Sequence, residues 1–483
     1  MSGLTSVLNI AKGALIVQQK AMNVTGHNIA NVNTSGYSRQ KVVLESNATL
    51  YASQIKIGMG VSIDSVVQYV DQFTNKTIYQ KTSILKEDES KSSILSYIET
   101  IFNETTEQGL SNEITEFWNA WQDLANNPGG TSERTALLEI AETLCQQFNS
   151  MSNDLSEILK DTNTNLSTSI EEANRLTGEI AELNEKIVSA ESNQATANDL
   201  RDQRANLLTE LSELVGNVYL ENENGSLTVM TSSGMMLVDG NQNFELSQDG
   251  DSIYWNQIES DISGELSGGE IGAWLDIRDE IVPQYLANLD ELAGTLINEV
   301  NTLHQTGYTL SGETGIYFFE NLQSSPNTPN SDDYTGAAAY IKLSFDVEGN
   351  ADTIAAGGQS GDSGDNENAL KIIALQTDGT LQIRKWTYEN RGEDVSNSLQ
   401  AGSMDDYYQA LIGELGILTE DVTESQEFTQ TMLDNLTELR DSVSGVNLDE
   451  EMINLMAAQQ AYGAAAKLVS VVDEMLQSLL EMR

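Results

Sequence analysis

Histidine, cysteine and serine beside glycine are the side chains from which catalysis is often built, and this chain offers few of them in usable patterns. Its two histidines are His27, in GHNIAN, and His304, in LHQTGY. Neither sits in H-E-x-x-H, so the two-histidine helix face of a zinc protease is missing. The single cysteine, Cys145 in ETLCQQF, excludes an internal disulfide framework and a cysteine-rich metal site. With no histidine placed beside it, it reads as a small buried residue. The glycine-rich run at 357–368, GGQSGDSGDNEN, places Ser360 and Ser363 after a glycine, but each lacks the second glycine of G-x-S-x-G. It also misses the ligand order of an EF-hand, so it reads as a solvated loop. No G-x-x-x-x-G-K-[ST] phosphate loop occurs. Carboxylates are many, yet nothing singles out an acid pair. The residues point to no catalytic site, no metal and no cofactor.

Charge narrows the function further. The 483 residues carry 24 bases against 74 acids, a net of −50. So acidic a surface repels phosphate backbones and anionic lipid, which excludes sequence-independent nucleic-acid binding. No apolar run is long enough to span a bilayer, and the amino end lacks the apolar core and cleavage site of a secretory signal. The charge is uneven. Residues 1–44 contain no acid and carry Lys12, Lys20, Arg39 and Lys41, whereas 447–483 carry a net of −4. The two ends are thus opposite in sign, and 45–446 carries the whole excess.

The elements that would position any site are mostly helical. Only 4 prolines interrupt the chain. Residues 4–29 show a 4-3 seam of Leu4, Leu8, Ala11, Leu15, Gln18, Met22, Thr25 and Ile29. Residues 448–480 show a second: Leu448, Met452, Leu455, Gln459, Tyr462, Ala466, Val469, Asp473, Leu476 and Leu480. Each has one glutamine near its middle, a residue type that can set register. Seams of opposite charge at the two chain ends predict a coiled-coil-like helix pair. A third seam runs from Leu159 through Thr162, Leu166, Ser169, Ala173, Leu176, Ile180 and Leu183 to Ile187. NNPGG at 126–130 breaks the helical region 72–215, and a second break is expected near 193–198, with Asp199 as N-cap and Gly216 as helix stop.

From Asn217 to Ile262 the period changes to two, with Asn-Gly, Asp-Gly and Ser-Gly turns, predicting a small β insertion. Helix is expected from Ile271 to His304, broken at Pro283, then short strands and loops over 307–400, and helices from Met404 to Val443. The fold expected is mainly α with nested, discontinuous domains. They are a terminal helix-pair domain (1–60 with 444–483), a long-helix layer with irregular β segments (61–216 with 269–443), and an outer β domain (217–268). The outer domain is expected to be expendable for the rest.

After the first helix the chain reads Asn28, Ile29, Ala30, Asn31, Asn33, Thr34, Gly36 and Tyr37 within HNIANVNTSGY. This resembles the amino-terminal signature of the bacterial flagellar axial proteins, the rod, hook and hook-associated family. The carboxyl-terminal run SGVNLDEEMINLMAAQQAYGAAAKLVSVVDEMLQSLL resembles the partner signature. GYSRQ at 36–40 and NLDEE with QQAY at 447–462 resemble the hook-associated members at the hook–filament junction more than rod or hook proteins. So do the interior blocks NDLRDQRANLLTELSELVG and GDNENALKIIALQ. The β insertion is short, so outer domains that some relatives carry are reduced here, and Cys145 is unusual in a family generally poor in cysteine.

The resemblance implies a structural subunit, not an enzyme, in the extracellular flagellum after type III export. Its terminal helices would line the inner tube, with the seam residues and the Asn28–Tyr37 turn as assembly interface. The partners it implies are the hook protein, the second hook–filament junction protein, further copies in a ring, and a cytoplasmic export chaperone on the carboxyl-terminal helices. It implies no nucleic acid and no membrane insertion. A hook or rod subunit, or an acidic enzyme domain on helical arms, remains open at this point.

Overall fold

The computed structural model describes all residues except 1, 48–49, 53–54, 103–108, 193–195, 257, 259, 322–333 and 482–483. Part of the break expected near 193–198 therefore lies outside the described residues. The helices are α1 (Ser2–Ala30), α2 (Gln72–Ile101), α3 (Leu110–Asn126), α4 (Thr131–Glu191), α5 (Asn198–Leu214), α6 (Gly269–Asp276), α7 (Val282–His304), α8 (Ala337–Tyr340), α9 (Glu367–Ala374), α10 (Met404–Ser444) and α11 (Leu448–Glu481). The strands are β1 (Gln40–Ser46), β2 (Leu50–Ala52), β3 (Ile55–Ile57), β4 (Val61–Gln68), β5 (Asn217–Glu221), β6 (Leu227–Thr231), β7 (Met236–Asp239), β8 (Gln242–Asn243), β9 (Leu246–Asp249), β10 (Ser252–Trp255), β11 (Gln382–Glu389) and β12 (Asp394–Ala401). All sheets are small and antiparallel, in pairs β1–β4, β2–β3, β9–β10 and β11–β12 and one meander, β5–β6–β7–β8. The fold is mainly helical, as the periodicities predict.

Two compact units result, each assembled from early and late stretches of chain. The first comprises 1–86, 170–269 and 427–483; the second comprises 87–169 and 270–426. The β segment 217–268 belongs to the first, together with both chain ends.

In the first unit the carboxyl half of α4 is the organising helix. Ala173, Leu176, Ile180, Leu183 and Ile187 are all buried, as their 4-3 spacing predicts. Two asparagines beside this stripe fasten the β segment. Asn174 Nδ2 donates to the Leu246 carbonyl at 2.7 Å, and its Oδ1 accepts from the Leu246 N–H at 2.8 Å. Asn184 does the same with Leu227 at 2.9 and 3.0 Å, and also takes Arg204 Nη1 at 2.7 Å. Each side chain thus satisfies a strand backbone as a neighbouring strand would. Val229, Leu237, Val238, Leu246 and Ile253 are buried, so the β segment shares the core of this unit. Removal of the segment would strip buried Asn184 of its bonds to Leu227 and Gly240 and buried Arg204 of its bond to the Gly225 carbonyl, leaving the two side chains with each other.

Two expected punctuation residues act differently from their predicted roles. Asp199 does not cap α5: the N-cap is Ala197, and the Asp199 carboxylate accepts from Gln40 Nε2 at 2.9 Å instead. Gly216 does not stop the helix by a left-handed turn. It is needed for close approach, since a Cβ there would lie 2.4 Å from the Ser267 carbonyl, whose oxygen accepts the Gly216 N–H.

The second unit has an aromatic core. Phe117 of α3 meets Phe318 and Phe319, and Trp121 of α3 meets Phe318, with Trp118 of α3, Phe148 of α4, Tyr285 of α7 and Tyr408 of α10 buried in the same cluster. Cys145 is buried in that cluster, and burial pushes its thiol up to about 12, which leaves no reactive thiolate. Pro283 does not break the helix as expected. A π-turn at Ile277–Ile281 joins α6 to α7, and Pro283 falls in the first turn of α7, where its missing N–H costs little. The residues of α9 were expected as loop and strand, yet they form a helix whose Ala369 and Ile372 are buried.

His304 is a core residue of this unit. Its Nε2 accepts from the Ala355 N–H at 2.9 Å, so Nδ1 carries the proton and donates to the Ile316 carbonyl at 2.8 Å. Burial lowers its pKa from 6.5 to about 4. The neutral form is the folded form, so its stabilising effect is full above pH 6.5 and is lost as pH falls toward 4. The loss reaches about 3 kcal/mol. Melting followed through the tryptophans of α3 between pH 7 and 4 is expected to show this slope. A slope unchanged in His304→Phe would remove this residue as its source.

Candidate assembly interface

The turn that ends α1 folds back on itself through its own polar side chains. Asn31 Nδ2 donates to the His27 carbonyl at 3.0 Å, and Thr34 Oγ1 donates to Asn31 Oδ1 at 3.1 Å. Gly36 has φ +74°, a conformation that favours glycine, and a Cβ there would also displace the Asn206 side chain, whose Oδ1 lies 1.8 Å from that position. The Tyr37 hydroxyl donates to Asn28 Oδ1 at 2.8 Å and lies 3.1 Å from His27 Nδ1. Burial, with the carboxylates of Asp199, Asp202 and Glu451 nearby, raises the pKa of this phenol. Asn33 and Thr34 are exposed.

Asn28 joins this turn to the far end of the chain. Its Oδ1 also accepts from the Gln40 N–H at 3.0 Å, while Nδ2 donates to the Gln40 carbonyl at 2.9 Å and to Glu451 Oε2 at 3.0 Å. Arg39 completes the contact. It donates from Nε to Glu451 Oε1 at 2.9 Å, and its Nη1 lies 2.9 Å from Glu450 Oε2. Glu451 is 2 % exposed, so its charge is held by Arg39 and Asn28 rather than by water. The backbone adds one bond, from the Arg39 N–H to the Ser444 carbonyl at 2.9 Å. Thus GYSRQ and NLDEE, read as separate sequence signatures, are two halves of one clasp. On the other side, the Ser38 N–H donates to Asp202 Oδ2 at 3.2 Å. Burial pushes the Asp202 carboxyl up to about 6, despite the lowering effect of that bond.

Beyond the clasp α1 packs along α11. On α1 the predicted seam holds: Ala11 and Thr25 are buried, and Leu4, Leu8, Leu15, Gln18, Met22 and Ile29 are half-buried. A second stripe went unread. Val17 and Val24 are buried as well, and Ile10 and Gly13 lie against Gly60 and Val61 at the start of β4. The helix therefore has two covered faces.

On α11 half of the predicted seam is shifted. Leu455, Val469 and Leu476 are half-buried and Ala466 with them, but Leu448, Met452, Gln459, Tyr462, Asp473 and Leu480 are exposed. The residues that alternate with Leu455 and Val469 on the covered face are Glu451, Ala458, Ala465 and Val472, one position earlier than expected. Small alanines at these places let α1 approach closely. The displaced apolar residues leave α11 with large side chains facing water: Met452 at 55 %, Ile453 at 61 % and Met475 at 52 % exposed, along with Leu448, Met456 and Val471. A helix apolar nearly all round belongs in an interior. In a single chain only the face toward α1 is covered.

Other polar clusters serve the fold. Asp365 Oδ2 accepts from the Gly358 and Gln359 N–H groups at 2.8 Å each, which shapes the glycine-rich loop and holds its carboxyl below the usual range. Among the described residues no group of three or more His, Cys, Asp or Glu could hold a metal ion, and no helix is long and apolar enough to cross a membrane.

Comparison with known proteins agrees with this geometry. The family described as flagellar hook-associated protein FlgK helical domain matches residues 95–319. The flagellar basal body rod FlgEFG protein C-terminal family matches 440–482, and the flagella basal body rod protein family matches 8–37. Flagellar hook-associated protein 1 of Bacillus subtilis is 28 % identical, over 98 % of this chain and 97 % of its own length. The protein of that name from Escherichia coli K12 is 26 % identical, over 99 % of this chain and 100 % of its own. The fold is similar to that of the flagellar hook junction protein FlgK from Burkholderia pseudomallei, with a TM-score of 0.62 at 16 % identity, covering 77 % of this chain and 100 % of that one. With its two terminal signatures clasped together, the chain is similar over its whole length to flagellar hook-associated protein 1, and at its two ends to the flagellar rod protein families.

Proposed function

We propose that this structural protein of the extracellular flagellum joins hook to filament by burying, between subunits, the α11 faces that a single chain leaves in water. The observation that carries this reading is the row of exposed methionine, isoleucine and leucine on α11 beside a clasp that fixes α11 against α1. The partners follow from position: the hook protein on one side, the second junction protein on the other, and further copies around a ring. A cytoplasmic chaperone would cover the same apolar faces before export, since an exposed stripe of this kind aggregates.

The division of labour we propose keeps the nested order read from the sequence. Residues 1–60 with 444–483 line the tube, and 61–216 with 269–443 build the next shell. Residues 217–268, packed on α4 and α5, face outward.

The test is a deletion of the gene with complementation. Electron microscopy of deleted cells is expected to show hooks without filaments, with filaments restored by the intact chain. Antibody labelling is expected at the hook–filament boundary. Filaments that persist in deleted cells, or label along the whole hook, would overturn the reading.

A further inference from the structure

The hairpin β11–β12 has one edge that the fold satisfies and one that it leaves open. In an antiparallel pair, facing residues alternate between those that bond to each other and those whose N–H and C=O point away. On β11 the outward groups are identified by what they bind. The Trp386 N–H donates to Asn288 Oδ1 at 2.8 Å, and its carbonyl accepts from Asn288 Nδ2 at 3.0 Å. The Tyr388 N–H donates to Gln284 Oε1 at 3.1 Å, and the Arg384 carbonyl accepts from the Tyr407 hydroxyl at 3.0 Å. Helices α7 and α10 thus close that edge.

The register pairs Arg384, Trp386 and Tyr388 with Leu399, Asn397 and Val395. These three residues of β12 therefore point their backbone groups outward, and among the described residues none reaches that edge. The strand is eight residues long, with Leu399 63 % and Val395 46 % exposed. It carries no lysine, no proline and no bulge, the devices that normally protect an open edge.

We propose that the outer edge of β12 is a strand-addition surface whose occupant is the β12 edge of a second copy of this chain, in an antiparallel two-fold pair centred on Asn397. The sequence DVSNSLQA is self-complementary in that register. Val395 falls opposite Leu399 twice, Asn397 faces its own copy, and Ser396 faces Ser398. Asp394 falls opposite Gln400, so no like charges meet directly. That matters in a chain of net charge −50, whose surfaces otherwise repel their copies. Subunits around a tube are related by rotation about its axis, and a two-fold contact cannot close within one such ring. The pair therefore belongs to the free chain and opens before assembly.

Sedimentation of the full chain tests this. A pair this small is expected to have a dissociation constant on the order of 10–1,000 μM. It should tighten when salt rises from about 0.05 to about 0.5 M, because screening relieves the repulsion. Val395→Lys, at an exposed site, is expected to leave melting unchanged and weaken pairing at least tenfold. Asn397→Cys is expected to form a disulfide dimer, because the two Cα atoms would lie about 5.5 Å apart. Val395→Cys alone should not, but should cross-link when mixed with Leu399→Cys; the native thiol of Cys145 is buried and stays out. A chain monomeric throughout, a dimer indifferent to Val395→Lys, or Val395→Cys cross-linking with itself as readily as Asn397→Cys would each overturn the proposal.

Discussion

Cells carrying Val472→Asp are expected to be non-motile, with hooks that bear no filament. Val472 is 2 % exposed on the face of α11 that α1 covers. A carboxylate there is cut off from water, and its burial costs several kcal/mol. That exceeds what a pair of half-buried seams can absorb. Substitutions on the uncovered faces separate folding from assembly. Met456→Lys and Met475→Lys alter side chains more than half exposed in the single chain, so the purified protein is expected to melt as before. If those faces are covered by neighbouring subunits, both variants should still lose filament attachment. Motility that survives Met456→Lys and Met475→Lys would show that water, not protein, covers α11 in the flagellum.

Arg39→Ala is expected to destabilise the first unit by about 3–5 kcal/mol, the range for removing one partner of a buried ion pair. The asymmetry of the pair sharpens this. Glu451 is buried, whereas the Arg39 side chain is 21 % exposed. Removing Arg39 leaves a desolvated carboxylate with two neutral amides beside it, Asn28 at 3.0 Å and Asn454 at 3.4 Å. Removing the charge by Glu451→Met leaves an arginine that can turn to water, so its cost is expected to be smaller. The double variant Arg39→Ala with Glu451→Met should recover much of the loss, because no buried charge remains. Denaturant unfolding of the four chains gives the cycle directly. Equal, small effects of under about 0.5 kcal/mol for both single changes would reduce the clasp to an ordinary surface pair.

Periodicity carried the sequence reading furthest where a helix buries one narrow stripe. The run Ala173–Ile187 of α4 is such a case, and so is the alternation of β6 with Leu227 and Val229 inward. It failed on α11 because apolar residues there surround the helix, so a 4-3 frame through Met452 and Gln459 fits as well as one through Glu451 and Ala458. Burial of an acid decided the frame, and that acid's partner lies 412 residues away. No local pattern can find such a pair. Asp199 had the right type and place for an N-cap, but Gln40 offered its carboxylate a tertiary bond. Pro283 promised a break that a π-turn absorbs. Helix α9 was hidden by the glycine and aspartate before it, although its own ENALKIIA alternates as a helix should. Of the interface, the residues of the Asn28–Tyr37 turn were legible as a signature. Their roles as hydrogen-bond donors and acceptors were not.

The clasp also sets an order of events. Directional emergence, whether from a ribosome or through a narrow export channel, delivers Asn28 and Arg39 early and Glu451 only near the finish. Everything the second unit needs ends at 426. That unit can therefore close while the last stretch is still unmade, whereas the first must wait with its amino-terminal turn unanchored. Contacts of such sequence separation are slow to find because loop closure precedes any reward. A nascent chain is thus half finished in a defined way, and its unpaired amino-terminal helix stays available to whatever machinery meets it first. Moving Glu451 and its helix to the front of the chain by circular permutation would abolish that interval.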